Sequence, residues 1–292
     1  MPLTLPETRT PFVTLFDDTY DQPDCRDYYR MLRSLGYSNH AHAVPVFRAV
    51  LDRLMQVRDI AAPRILDFAS SYGIVTALMK LDVSAAEFLD RYEEGSLDAL
   101  TPPEMAQQDR AWIEALPPRY PGARFFGLDV AANAVGYGEA VGLFEHGFDE
   151  NLEHDAPSQA LSAQLAEVDL IVECGSVAHL MPTALDRLLG ACGDRTPWVV
   201  TSPVRGNERE AAFEVLRDHG MVVDTLDLPP FPHRRFDSRN EQARATAIAR
   251  AAGHETSGLE SRGYFFAQIY LARPADEAQK PFPDLAGVQA RG

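Results

Sequence analysis

At 292 residues, with 46% hydrophobic and 24% charged residues, the chain has ordinary globular composition and room for a large α/β domain with helical additions. Its 27 basic against 43 acidic residues, a net charge of −16, argue against nucleic acid or an anionic membrane as partner. No apolar run approaches the roughly 20 residues that span a bilayer, the start MPLTLPETRTPF lacks the regions of a secretory signal, and Cys25, Cys174 and Cys192 fit neither zinc nor disulfide spacing. A soluble cytoplasmic protein is expected.

Residues 1–60 read as an N-terminal helical arm or lid. After a stretch rich in Pro, Thr and Asp, Tyr28, Leu32 and Leu35 share a helix face that Gly36 ends. The segment YSNHAHAVP interrupts, and Val46, Phe47, Val50, Leu51 and Leu54 restart the helical spacing. Residues 61–275 read as a Rossmann-like domain. RILDFA, from Arg64, is a central strand, and Ile74 to Leu81 the helix after it. Helical segments from Ser84 to Pro121 form an insertion, in which Thr101 caps a helix that starts with proline. ARFFGLDV (Ala123 to Val130) is a second strand, followed by the helix NAVGYGEAVGLF. HGFDENLE holds a short third strand, VDLIVECG (Val168 to Gly175) is a fourth with TALDRLLGACG as its helix, and PWVVTSPV is a fifth. A helix NEREAAFEVLRDHG leads to the strand MVVDTLDL. Phe231 to Phe236 (FPHRRF) reads as a loop, and GYFFAQIYLAR (Gly263 to Arg273) as a final strand. The pattern predicts a mostly parallel seven-stranded sheet with an antiparallel last strand. Residues 276–292 read as a polar tail.

The turn Ala69-Ser70-Ser71-Tyr72-Gly73 after the first strand holds the chemical question. A dinucleotide site wants GxGxxG, but Ala69 and Ser71 stand at the first two glycine positions, so a pyrophosphate would meet side chains. Gly73 alone is equally well read as a packing glycine. Asp67 and Asp129 end the first and second strands, and an acidic residue leaving the second strand is well placed to accept hydrogen bonds from ribose hydroxyls. Each is also readable as a solvated carboxylate or a helix cap; together with the small-residue turn they favour a nucleoside site.

In this order, ILDFASSYG, GLDVAANAV, ENLEHD and DLIVECGSVAHL resemble the motifs of class I S-adenosylmethionine-dependent methyltransferases, over about Arg64 to Arg273. The resemblance implies a Rossmann-like sheet and S-adenosyl-L-methionine as cofactor. It puts Asp67, Ser70, Ser71 and Gly73 on the methionine side, Asp129 at ribose, and Asn151 and Leu152 beside adenine. Two features depart from the family. The usual glycines are missing, which a cofactor without phosphate tolerates because serine hydroxyls can bond its carboxylate. Asp67 and Asp129 also lie much further apart than the roughly 20 residues of a compact unit, because the insertion at 84–121 separates them. That insertion, like the arm, is readable as a substrate lid or as a stabilising helical layer.

Candidate chemistry lies beside the turn. His179, beyond the fourth strand, is a candidate general base, and equally a packed or solvated histidine. Tyr37, His40 and His42 sit in the break between the first helices as candidate catalytic (Tyr37, His42) or substrate-contacting (His40) groups; an exposed loop is the plain alternative, and no metal is expected. His233 and Arg234 are candidate ligands of an acceptor carboxylate or phosphate, or part of a surface cluster. The expected function is methyl transfer to the oxygen or nitrogen of a small molecule, without nucleic acid or membrane partners; a homodimer stays open. Three alternatives remain: attack on the aminopropyl carbon of the same cofactor with release of methylthioadenosine, a non-catalytic cofactor-binding module, and a nicotinamide oxidoreductase.

Overall fold

A computed structural model describes residues 19–175, 181–193, 195–208, 210–280, 282 and 285. Helix α1 (Arg26–Ser34) buries Tyr28, Tyr29 and Leu32 and gives way at Gly36, which takes a left-handed φ of +59°. The expected break before the next helix is shorter than YSNHAHAVP. Helix α2 (Asn39–Arg58) begins at Asn39 and carries Pro45 inside it. Proline there removes a helical hydrogen bond, and the burial of Val44, Val46, Phe47, Val50, Leu51 and Leu54 on the sheet offsets the loss. His40 and His42 therefore sit on a helix, not a loop. Positions two apart do not face each other: His40 is buried and His42 half-buried.

Each apolar run then forms a short strand with a helix behind it. β1 (Arg64–Phe68) leads to α3 (Ile74–Lys80). The insertion follows as α4 (Ala85–Asp90) and α5 (Pro102–Ala115), each with a capping box, Ser84 with Glu87 and Thr101 with Glu104. Buried Asp109 fixes α5, accepting from Arg91, from the Tyr92 hydroxyl at 2.9 Å and from the Tyr137 hydroxyl at 2.7 Å. Next come β2 (Arg124–Leu128), α6 (Ala132–Ala140), β3 (His146–Phe148) and α7 (Gln159–Leu165). Ser158 caps α7, a helix the sequence reading did not anticipate. β4 (Leu170–Glu173), α8 (Pro182–Gly190), β5 (Trp198–Thr201), α9 (Glu210–Asp218) and β6 (Met221–Thr225) continue the alternation.

The C-terminal part corrects two expectations. FPHRRF is not a loop: its first five residues are β7 (Phe231–Arg235). After α10 (Arg239–Ala251), the stretch Gly263 to Arg273 divides into β8 (Tyr264–Ala267) and β9 (Tyr270–Pro274), with α11 (Ala275–Ala278) behind it. β8 pairs antiparallel with β7 in a separate ribbon, and β9 enters the main sheet. The chain changes partners at Gln268, whose N–H donates to the Pro203 carbonyl beyond β5.

The main sheet has seven strands in the order β3-β2-β1-β4-β5-β9-β6, and β9 runs antiparallel to both neighbours. This is the mostly parallel sheet with a reversed last strand that the sequence predicts. One face packs on α1, α2, α3 and the insertion, the other on α7, α8 and α9. Covering both faces is what lets the strands be apolar runs. Strand order reverses between β1 and β4, so a crevice opens at their carboxyl ends. No helix among the described residues is long and apolar enough to cross a membrane.

Candidate functional site

A cavity of about 360 Å³ lies at that switch point. Its floor is the β1 turn. Ala69 and Ser71 have φ of +59° and +50°, and Gly73 has +87°. The turn thus follows a glycine-type path with side chains at two of its left-handed positions, each costing roughly 1 kcal/mol or more. Hydrogen bonds to the end of β2 hold it there. The Leu128 carbonyl accepts from Ala69 N at 2.8 Å and Ser70 N at 3.2 Å, and Asp129 Oδ2 accepts from Ser71 N at 2.8 Å. Gly73 does not line the cavity. A Cβ on it would meet Leu143 and Phe144 at 3.0 Å, so Gly73 is set by packing.

The carboxylates occupy different levels. Asp67, only 1% exposed, lies beneath the turn and does not line the cavity. Its Oδ2 accepts from Thr76 N and from the Thr76 hydroxyl, at 3.2 and 2.8 Å. Its Oδ1 is buried without a hydrogen-bond partner, and burial pushes the pKa up to about 8. Asp129 lines the cavity. Oδ2 also accepts from the Tyr20 hydroxyl at 2.8 Å, and Oδ1 accepts from Ala131 N at 3.0 Å. Burial raises its pKa, and those hydrogen bonds work against the rise. Next to it Val130 is 63% exposed, and with Asn151 and Leu152 it makes an apolar-edged end of the cavity. The Ser70 hydroxyl is buried with no partner; that of Ser71 lies against the Tyr20 and Tyr28 phenols.

The opposite end is aromatic, and the cation beside it, Arg234, is paired with Glu241. Tyr37 stacks on His40 with ring centroids 4.7 Å apart, and its hydroxyl lies 3.0 Å from His233 Nε2. These groups converge on Gly175 at the end of β4. A Cβ there would lie 2.5 Å from Asn39 Nδ2, 2.6 Å from His233 Nε2 and 2.7 Å from the Tyr37 hydroxyl. The Asn39 amide also donates to Cys174 Sγ and Ser202 Oγ, both at 3.3 Å. Burial lowers the His40 pKa to about 3, and burial with the nearby Arg234 charge holds His233 well below the usual range. Both imidazoles are neutral at physiological pH.

The expected site residues are therefore sorted. Ser70, Ser71, Asp129, Asn151, Leu152, Tyr37, His40, His233 and Arg234 line one cavity, whereas Asp67 and Gly73 support its floor from below. His42 lies off the cavity, its ring 5.4 Å from that of Phe231. Arg234 is not a free fork for an acceptor anion: its guanidinium donates to both Glu241 oxygens, at 2.7 and 3.1 Å, and lies over the Phe265 ring. His179 lies outside the described residues. Tyr20, Tyr28, Val130 and Gly175 are lining residues that the sequence reading passed over. An apolar residue directly after Asp129 and a glycine two residues beyond β4 are signals for two of them; the contact of Tyr20, 109 positions from Asp129, has none. No residue of the insertion 84–121 lines the cavity.

No protein-family model matches the chain, and no curated protein matches it. Solved structures similar to it include a TehB-like SAM-dependent methyltransferase from Corynebacterium glutamicum, 14% identical over 83% of this chain and 93% of that one, with a TM-score of 0.39. A precorrin-6y C5,15-methyltransferase from Geobacter metallireducens is 14% identical over 78% and 87%, with a TM-score of 0.39. The plantazolicin methyltransferase BamL, solved with a desmethyl analogue and SAH, is 11% identical over 84% and 89%, with a TM-score of 0.42. At such identities the likeness concerns the fold alone. The strand order and reversed last strand define the class: a Rossmann-like α/β protein with the sheet implied by the methyltransferase resemblance.

Proposed function

We propose that this cavity binds S-adenosyl-L-methionine and that the protein transfers its methyl group to a small uncharged acceptor held at the Tyr37–His233 end. The observation that carries the reading is the Asp129 end of the cavity. A buried carboxylate leaves β2 beside an exposed valine and a turn lined by serines rather than by glycines. That arrangement suits a ribose and a purine face. It offers no glycine-rich amide cradle for a pyrophosphate.

The residues fit the group by chemistry. Asp129 is an acceptor for ribose hydroxyls, Val130 and Leu152 flank the base, and the unpartnered Ser70 hydroxyl faces the methionyl end. S-adenosylmethionine, when bound, supplies an electrophilic methyl carbon. Tyr37 and His233 orient the acceptor against it. The Tyr37 hydroxyl and His233 Nε2, 3.0 Å apart, are the polar pair at this end that would hydrogen-bond an attacking O–H or N–H, the neutral ring donating or accepting according to its tautomer. Aromatic walls from Tyr28, Tyr37 and Phe265 exclude water and suit a planar acceptor. Residues 19–60 are the lid in this reading, since Tyr28, Tyr37 and His40 come from them; the insertion is a supporting layer.

Calorimetry with S-adenosylhomocysteine tests binding, and Asp129→Ala is expected to weaken it at least tenfold, since a charged acceptor of two hydroxyls is lost. Unchanged affinity would refute the ribose placement. Mass analysis after incubation with S-adenosylmethionine and candidate phenols or heteroaromatic amines reads the reaction. S-adenosylhomocysteine is the expected product, whereas methylthioadenosine would mean attack on the aminopropyl carbon.

A further inference from the structure

Most of the hydrogen-bonding capacity of Asp129 is already taken by the chain itself. A carboxylate offers about four lone-pair positions to donors. Oδ2 takes the Ser71 amide and the Tyr20 hydroxyl, each at 2.8 Å. Oδ1 takes the Ala131 amide at 3.0 Å. Two of these donors belong to the turn and the start of α6, the frame that shapes the cavity. The third is a side chain from the arm, 109 positions away in sequence, and it alone can leave without dismantling the sheet edge.

The segment that carries Tyr20 is fastened on either side of Asp129. Asn133, in the first turn of α6, donates its amide N–H to Asp21 Oδ1 at 2.7 Å and its side-chain amide to the Asp21 carbonyl at 2.9 Å. The Tyr72 hydroxyl donates to the Gln22 carbonyl at 2.8 Å. Tyr20 packs edge-on against Tyr28 with ring centroids 5.6 Å apart. Asp21 holds a left-handed φ of +60°, a conformation that favours glycine. Apart from the ring packing, these fastenings are polar and the segment is only half-buried, which makes it a strap that releases locally rather than part of the core.

We propose that Tyr20 is a built-in stand-in for a nucleoside hydroxyl: it occupies the ribose position on Asp129, and residues 19–22 swing off when a nucleoside enters. The inference rests on the ribose placement proposed above. Burial and the Asp129 charge keep the Tyr20 phenol protonated, so it donates at every ordinary pH. Loading the site exchanges one phenol–carboxylate hydrogen bond for ribose–carboxylate bonds. The strap therefore lowers nucleoside affinity by the strength of the bond it gives up, and it couples the arm that bears Tyr28 and Tyr37 to cofactor entry.

The test compares S-adenosylhomocysteine binding by calorimetry in the wild type, Tyr20→Phe and Asp129→Asn. Phenylalanine keeps the ring packing on Tyr28 and removes only the competing donor. Tyr20→Phe is expected to bind roughly tenfold tighter, the equivalent of one hydrogen bond to a charged acceptor. Unchanged or weaker binding by Tyr20→Phe, with a loss at Asp129→Asn, overturns the stand-in and leaves the ribose placement intact. Undiminished affinity of Asp129→Asn overturns both. Hydrogen exchange on the wild type needs no variant. Amides of residues 19–24 are expected to exchange faster once S-adenosylhomocysteine is added; added protection there means that the strap closes over the ligand, and refutes the inference.

Discussion

Replacing Asp67 by asparagine should change the pH dependence of stability more than any other single substitution near the site. The carboxyl is fully buried, one of its oxygens has no partner, and burial moves its pKa from an ordinary 3.8 to about 8. The folded state therefore holds the proton more tightly than the unfolded chain. The stabilisation from the neutral carboxyl is complete below about pH 4 and is lost as pH rises through about 8. At 1.36 kcal/mol per pH unit, the wild type is penalised by roughly 2 kcal/mol at pH 5 and by on the order of 6 kcal/mol at pH 9. Asparagine keeps an oxygen for the Thr76 amide and hydroxyl and has no proton to lose.

The expected result is a variant whose advantage over the wild type grows by on the order of 4 kcal/mol between pH 5 and pH 9. For a chain of 292 residues that is a difference in melting temperature that widens by roughly 6 °C. Paired thermal melts of ligand-free protein across that range measure it. A difference that stays flat with pH would show that Asp67 is ionised in the folded state. The reasoning from its burial would then be wrong.

Gly175→Ala should be destabilised by about 2 kcal/mol or more, because its φ of +83° and the three polar groups within 2.7 Å both oppose a Cβ; turnover should fall further than S-adenosylhomocysteine affinity, and wild-type turnover would refute the Tyr37–His233 assignment. Arg234→Met leaves buried Glu241 without its cation and should cost about 3 kcal/mol by denaturant titration; loss of acceptor affinity without loss of stability would instead revive Arg234 as a substrate ligand. Ala69→Gly should stabilise the protein by about 0.5–1 kcal/mol, as relief of left-handed strain exceeds the added unfolded-state entropy; a destabilised variant would mean that the Ala69 methyl is needed for packing.

Local pattern carried the reading of the sheet. RILDFA, ARFFGLDV, VDLIVECG and PWVVTSPV are strands because apolar runs buried on both faces need no partner in sequence to declare themselves. Asp129 was visible for the same reason, as the first polar residue after such a run. The departures occur where distant segments decide. His40 and His42 read as a loop because their neighbours are small and polar, yet the burial of Asn39 and His40 extends α2 back over them. Arg234 read as a surface cation because Glu241, seven positions on, meets it only once β7 and α10 are in place. Nothing around Gly263 to Arg273 marks the change of partner at Gln268, since both halves are equally apolar and only the free edges of β5 and β7 tell them apart.

The turn that lacks its glycines kept the path that glycines would allow. Ala69 and Ser71 adopt left-handed angles, and that conformation persists only where surrounding bonds over-determine it. Here the bonds to Ala69, Ser70 and Ser71 come from the end of β2 and the residue after it. Leu128 takes two amides of the turn, and Asp129 takes a third. Asp129 therefore has two tasks that the sequence does not separate: it holds the strained turn open, and it presents an acceptor to the cavity. A serine at position 71 makes the coupling tighter than a glycine would, because the strain it adds has to be opposed by the bond its own amide makes to Asp129. The missing glycines thus change how firmly the floor of the site is tied to its Asp129 end, while leaving the room for a ligand where a glycine-rich turn would have left it.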